Sequence, residues 1–207
     1  WSSDVCSSDL NKLEALDGVR EVSDLKSSYY NEKYVVMFEH PLDYKNSKAG
    51  KFNQRVIICH AGFDRPTVIV TEGYWADYAM RENYVEELSK LLNTNVVFVE
   101  YRYFGKSMPN PCNWNYLTVE NSLNDLHQVR TALKDIYPGK WIATGISKGG
   151  QTTLFYRTYF PNDVDISVPY VAPLNRSVED GRHQPFIEKT VSTAQNRQKV
   201  KDFQLEL

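Results

Sequence analysis

The sequence predicts an α/β fold, a mostly parallel sheet covered by helices on both faces. Three observations carry that expectation. The runs Thr67–Thr71 (TVIVT) and Asn95–Tyr101 (NVVFVEY) are β-branched and apolar without alternation, as strands buried on both faces require. Between Thr118 and Tyr137 the apolar residues Leu123, Leu126, Val129, Ala132, Leu133 and Ile136 recur at three- and four-residue steps, the period of an amphipathic helix. Strand-like and helix-like stretches also alternate along the chain, the pattern of right-handed parallel crossovers.

The chain has 207 residues, 42% of them hydrophobic and 24% charged, enough apolar side chain for one substantial core and too much for a disordered segment. Lys and Arg (24) nearly balance Asp and Glu (26), so no basic surface of the kind that tracks nucleic acid is expected. No apolar run approaches the roughly 18–20 residues that span a bilayer. The first ten residues, WSSDVCSSDL, repeat Ser-Ser-Asp and share no periodicity with the rest of the chain. They resemble translated adapter read-through and are expected to be foreign to the fold. The remainder divides into residues 11–175, the N-terminal part of an α/β domain, and residues 176–207, the beginning of a helical insertion.

In chain order, Tyr34–Phe38 and Val56–Cys59 read as an antiparallel pair, separated by a turn-rich segment with Asn46, Ser47 and Gly50. Thr67–Thr71 is the third strand, and a helix is expected over Ala76–Leu92. Asn95–Tyr101 is the fourth strand. Thr118 is the candidate N-cap of the amphipathic helix, which Pro138-Gly139 stops. Trp141–Ile146 returns as a strand, Gly149–Phe160 leaves as a helix, and Val164–Val171 comes back as the sixth strand. Ser177–Leu207 is polar and helix-prone. Cys59 is expected in the core as a small apolar residue, and Cys112 in a loop.

Gly145-Ile146-Ser147-Lys148-Gly149-Gly150 is a G-x-S-x-G pattern set between a strand and a helix, the context of a nucleophile elbow in an α/β-hydrolase fold. Small residues flank the turn because strand and helix must approach closely there. A serine hydroxyl needs a base to become nucleophilic, and the tetrahedral oxyanion needs preset N–H donors. The Lys148 N–H is the first expected donor. The second comes from the loop after the third strand, Glu72-Gly73-Tyr74, with Tyr74 N–H leading and Gly73 N–H behind it.

This fold orders its triad Ser, then Asp or Glu, then His. His40, His60 and His127 all precede Ser147 and are expected to be surface or interface residues. His183 comes after it, but inside the polar helical stretch. Asp163 and Asp165 border the sixth strand and read as surface caps. The acid and base are therefore expected to be absent from this chain, which would make it an inactive fragment of a longer enzyme.

Several segments together resemble the secreted bacterial prolyl tripeptidyl aminopeptidases, relatives of the prolyl carboxypeptidase group. They are GFDRPTVIVTEGY at Gly62–Tyr74, VEYRYFGKSMP at Val99–Pro109, YLTVENSLNDL at Tyr116–Leu126, GISKGG at Gly145–Gly150 and YFPNDVDISVPYVAPLN at Tyr159–Asn175. The resemblance implies a serine exopeptidase, secreted or in the cell envelope, that releases tripeptides after proline from free N-termini through an acyl-enzyme and without cofactor. It implies Ser147 as nucleophile, with Gly73, Tyr74 and Lys148 around the oxyanion. Glu72 is either an anchor for the substrate's cationic amine or a brace for the oxyanion loop. Arg102 and Lys106 either meet a substrate carboxylate, which would suit a carboxypeptidase, or fix the loop after the fourth strand. An esterase on the same elbow and a non-catalytic protein are the alternatives. Peptides are the expected partners, and the sequence sets no oligomeric state.

Overall fold

The structure is a computed structural model that describes residues 11–206. Its framework is a seven-stranded sheet in the order β1-β2-β3-β5-β4-β6-β7. The strands are β1 Val19–Asp24, β2 Glu32–Pro41, β3 Lys51–His60, β4 Thr67–Thr71, β5 Asn95–Val99, β6 Trp141–Ile146 and β7 Ile166–Tyr170. β4, β5, β6 and β7 run parallel to one another, while β1, β2 and β3 join as an antiparallel flank. The helices are α1 Glu87–Leu92, α2 Val119–Leu133, α3 Lys148–Tyr159, α4 His183–Lys189 and α5 Ala194–Leu205. One compact unit ends at Pro173, and a second, containing α4 and α5, begins at Leu174.

The unbroken apolar runs serve two cores at once, because successive residues of a strand point to opposite faces. On one face Val97 and Val99 of β5 pack with Ile69, Ala143, the α2 residues Leu123, Leu126, Val129 and Leu133, and Tyr156 of α3. On the other, Val96 and Phe98 pack with Val68, Val70, Ile142, Ala76, Ala79 and Leu88. Each such side chain contributes about 1.5–3 kcal/mol when taken out of water. Cys59 lies in this second cluster, and burial pushes its thiol up to about 12. Cys112 is exposed.

Several elements differ from the sequence reading: the first two predicted strands extend to Glu32–Pro41 and Lys51–His60, and the fourth ends at Val99. β1 forms where no strand was expected. It is the sheet's edge, largely exposed, paired to β2 through its backbone with Val19 and Val22 against the core and Arg20 on Glu39 at 2.6 Å, so it carries little apolar signal. The stretch Ala76–Leu92 is not one helix but a 3-10 turn, Asp77–Met80, and the short α1. Tertiary partners claim the backbone groups that a continuous helix would use. Lys33 Nζ donates to Arg81 O at 2.7 Å, Ser28 N donates to Glu82 O at 3.0 Å, and Glu86 N donates to Tyr30 Oη at 3.1 Å. The sixth predicted strand is also shorter, at Ile166–Tyr170. Thr118, by contrast, caps α2 as expected, its Oγ1 accepting from Asn121 N at 3.1 Å.

A fully buried ion pair ties the antiparallel flank to α2. Arg102 Nε and Nη2 donate to Asp125 at 2.7 Å, and Nη1 donates to Leu42 O at 2.8 Å and Tyr116 O at 2.9 Å. Tyr44 Oη donates to the same carboxylate at 3.0 Å. Arg102 has no exposed surface, which settles its alternatives in favour of fixing the loop.

Replacing one partner strands a buried charge, so Arg102→Met is expected to cost about 3–5 kcal/mol in urea unfolding. The double variant Arg102→Met/Asp125→Leu is expected to recover a good part of that loss. A double variant no more stable than Arg102→Met would show that the pair is not coupled as described.

Candidate active site

Ser147 joins β6 to α3 with φ 56° and ψ −115°, a region that costs a non-glycine residue on the order of 1–3 kcal/mol. Its neighbours hold it there. Ser147 N donates to Tyr170 O at 3.0 Å and Gln151 N donates to Ser147 O at 2.9 Å. A Cβ on Gly145 would lie 2.5 Å from the Gly149 carbonyl carbon, and one on Gly149 would lie 2.7 Å from Thr71 O. Both glycines are therefore required by close approach. Thr71 Oγ1 fastens the end of β4 beneath the turn, 2.9 Å from Gly149 O and 2.7 Å from Thr153 Oγ1. The Ser147 side chain caps nothing and stands exposed, at a helix N-terminus whose first N–H groups lack intrahelical partners.

The loop after β4 lies against that helix. A Cβ on Gly73 would stand 2.8 Å from Lys148 Cβ. Gly73 N–H donates to Glu72 Oε1 at 3.0 Å, and Tyr78 Oη donates to Glu72 Oε2 at 2.5 Å. Glu72 thus braces the loop. Lys148 Nζ donates to Gly73 O at 2.8 Å and sits 3.1 Å from the Tyr101 ring centroid, with the Tyr74 and Phe104 rings at 5.4 and 5.7 Å. Burial brings the Lys148 ammonium down to about 8, with the Glu72 charge opposing the shift.

Sequence reasoning missed the group that holds these loops, the Glu100 carboxylate. It is fully buried. One oxygen receives Arg55 Nη2 and Ala76 N, the latter at 2.9 Å. The other receives Lys106 N at 2.9 Å, Ser107 N at 3.0 Å and Ser107 Oγ at 2.8 Å. A signal was present, since a carboxylate closes the otherwise apolar run NVVFVEY, and a charge in such a run is buried only when paired.

The three histidines that precede Ser147 are engaged elsewhere. His40 is buried beside Tyr44 Oη at 3.1 Å, and His60 Nδ1 lies 3.2 Å from Tyr137 Oη. His127 is no free surface residue. It pairs with Asp163 Oδ2 at 2.7 Å and stacks on Phe160 at 4.2 Å. Asp163 is likewise no surface cap, being buried and accepting also from Tyr156 Oη at 2.7 Å. Asp165 accepts from Trp141 N at 2.9 Å. His183 opens α4 in the second unit. Among the described residues no group of three or more His, Cys, Asp or Glu side chains is placed to hold a metal.

Glu100→Gln is expected to loosen both loops together. Amide exchange at Ala76 and Ser107 should accelerate by about tenfold or more as the charged acceptor is lost. Acceleration at Ser107 alone would show that Glu100 does not anchor the loop after β4.

Among solved structures, an esterase, LipA from Xanthomonas oryzae, superposes with a TM-score of 0.51 at 15% identity, covering 82% of this chain and 52% of that one. That likeness is one of fold, and it places the seven-stranded sheet with the α/β-hydrolases. The chain is 36% identical over 180 residues to the prolyl tri/tetrapeptidyl aminopeptidase of Streptomyces mobaraensis, covering 86% of this chain and 37% of the relative. It is 26% identical over 157 residues to the human lysosomal Pro-X carboxypeptidase, covering 68% and 32%. The chain spans about a third of the length of these relatives. The profile of PS-10 peptidase S37 matches residues 9–207. With the serine elbow lying inside a match of that extent, the chain belongs to the PS-10 peptidase S37 family of serine peptidases.

Proposed function

We propose that the protein is a serine exopeptidase that releases short peptides, tripeptides above all and preferentially after proline, from free N-termini. The observation that carries this reading is Ser147, a strained, exposed and uncapped serine at a helix N-terminus, in a chain 36% identical to a prolyl aminopeptidase. Ser147 Oγ gives its proton to a base and attacks the scissile carbonyl; the C–N bond breaks, the rest of the substrate leaves as an amine that takes up the proton, and water hydrolyses the acyl-enzyme ester to free the short peptide and restore the serine. Lys148 N–H and Tyr74 N–H receive the oxyanion. Gly73 N–H is the weaker candidate because Glu72 already engages it.

Glu72 keeps acceptor capacity beyond its two hydrogen bonds, since a carboxylate offers about four lone-pair sites, and it is our candidate anchor for the substrate ammonium. The exposed rings of Tyr74 and Trp75 beside it offer apolar faces that suit a proline. Arg102 is spent on Asp125 and three carbonyls, which weighs against a carboxypeptidase reading built on that residue. By resemblance the enzyme works outside the cytoplasm. Among the described residues no helix is long and apolar enough to cross a membrane.

His40, His60 and His127 are each committed elsewhere, so the 207-residue chain alone is expected to react slowly with a fluorophosphonate. In the protein that contains this chain, an Ala-Ala-Pro amide with a free N-terminus should be cleaved and its acetylated form spared. Ser147→Ala should lower kcat by roughly 10⁴-fold or more. Equal cleavage of both substrates would refute the exopeptidase reading, and an active Ser147→Ala would refute the nucleophile.

A further inference from the structure

The residue after the nucleophile is needed for its backbone N–H, and nothing in that role explains its side chain. Lys148 is half-buried, with its Nζ turned back onto the facing loop rather than into water. We propose that the Lys148 ammonium orients and polarises the Gly73–Tyr74 peptide, making Tyr74 N–H a stronger oxyanion donor. This role rests on the peptidase reading of Ser147. Lys148 is then a positioning residue that supplies one donor through its own backbone and sets the second through its side chain.

The peptide plane dictates the direction of the second donor. Gly73 C=O and Tyr74 N–H belong to one planar trans amide and point in opposite directions. Holding Gly73 O 2.8 Å from Lys148 Nζ therefore turns Tyr74 N–H away from the lysine. The groups on either side of that amide are already fixed. Gly73 N–H is on Glu72 Oε1 at 3.0 Å, Tyr74 O receives Tyr101 N at 3.0 Å, and Ala76 N is on Glu100. Glycine permits a peptide flip at little steric cost, so without the lysine this amide is the part of the loop most free to reverse.

The charge adds a second effect. A cation on a carbonyl oxygen draws density through the amide and strengthens the donor at its nitrogen. The ammonium stays in place because its stem is buried and its head rests on the Tyr101 face, with Tyr74 and Phe104 closing the cage. The titratable groups that face it are Glu72 on the loop, Tyr74 beside it and Tyr101 after β5. Glu72 favours the charged amine, and burial pushes the Tyr101 phenol up. Because burial of Lys148 brings its ammonium down to about 8, the polarising charge is present at neutral pH. It is lost as pH rises through that value.

The test uses ¹⁵N-labelled protein containing this chain, together with its Lys148→Met and Lys148→Arg variants. The Tyr74 amide nitrogen is expected to move upfield as pH rises, with a midpoint near the value of about 8 to which burial brings Lys148. Lys148→Met should abolish that transition, and Lys148→Arg should leave the amide at its low-pH position throughout. In turnover, Lys148→Met should lower kcat by roughly tenfold while KM stays within about twofold. Lys148→Arg should recover most of kcat and lose the fall near pH 8. A Tyr74 amide that does not move between about pH 7 and 10 overturns the proposal, as does a Lys148→Met enzyme with unchanged kcat. An inactive wild type whose Tyr74 amide titrates with Lys148 instead overturns the peptidase reading and leaves the coupling of lysine to peptide standing.

Discussion

The buried carboxylate of Glu100 is the point on which the arrangement around Ser147 depends. An unpaired charge at full burial would cost several kcal/mol, and here the two oxygens together draw donors from three segments: Arg55 on β3, Ala76 after β4, and Lys106 and Ser107 after β5. Two loops that diverge from neighbouring parallel strands are thereby referred to one rigid acceptor. The next residue, Tyr101, continues the same work, its N–H holding Tyr74 O and its ring holding the Lys148 ammonium. The end of β5 thus fixes the loop that faces the elbow, although it contributes no reacting atom.

The elbow's strain is sustained from the other side. Ser147 adopts a positive φ at a turn where α3 crowds β6 at Gly145 and the end of β4 at Gly149 too closely for side chains. That approach is maintained by Thr71 and Thr153. The sheet beneath is buried on both faces, so neither strand can shift to relieve the turn. Strain at the serine and burial of the sheet are two consequences of one packing arrangement, as is common where a reactive group must be presented at a fixed angle.

Charge distribution separates the support of the fold from its chemistry. Arg102 with Asp125, and Arg55 with Glu100, are ion pairs withdrawn from solvent, and they brace the frame. Glu72 and Lys148 lie closer to the surface, each making one hydrogen bond to the Gly73 backbone, one at its N–H and the other at its C=O. The loop's geometry is therefore set by two opposite charges. One of them, Lys148, has its charged form destabilised by burial.

The parallel strands, the two-sided burial, the capped α2 and the serine elbow were legible in the chain before folding, because each is written in local periodicity or in a short motif whose sterics are self-contained. The sequence also pointed to the Glu72–Tyr74 loop as the one beside the elbow, and Gly73 of that loop lies against Lys148. The folded structure was needed to show that Ala76–Leu92 breaks, as the partners on Ser28, Tyr30 and Lys33 lie far off in the chain. It alone revealed β1, an edge strand paired to β2 whose mostly exposed residues leave little apolar period. It alone placed His127 on Asp163, and it alone gave Glu100 its role, because a carboxylate's partners are set by distance in space and not by spacing along the chain.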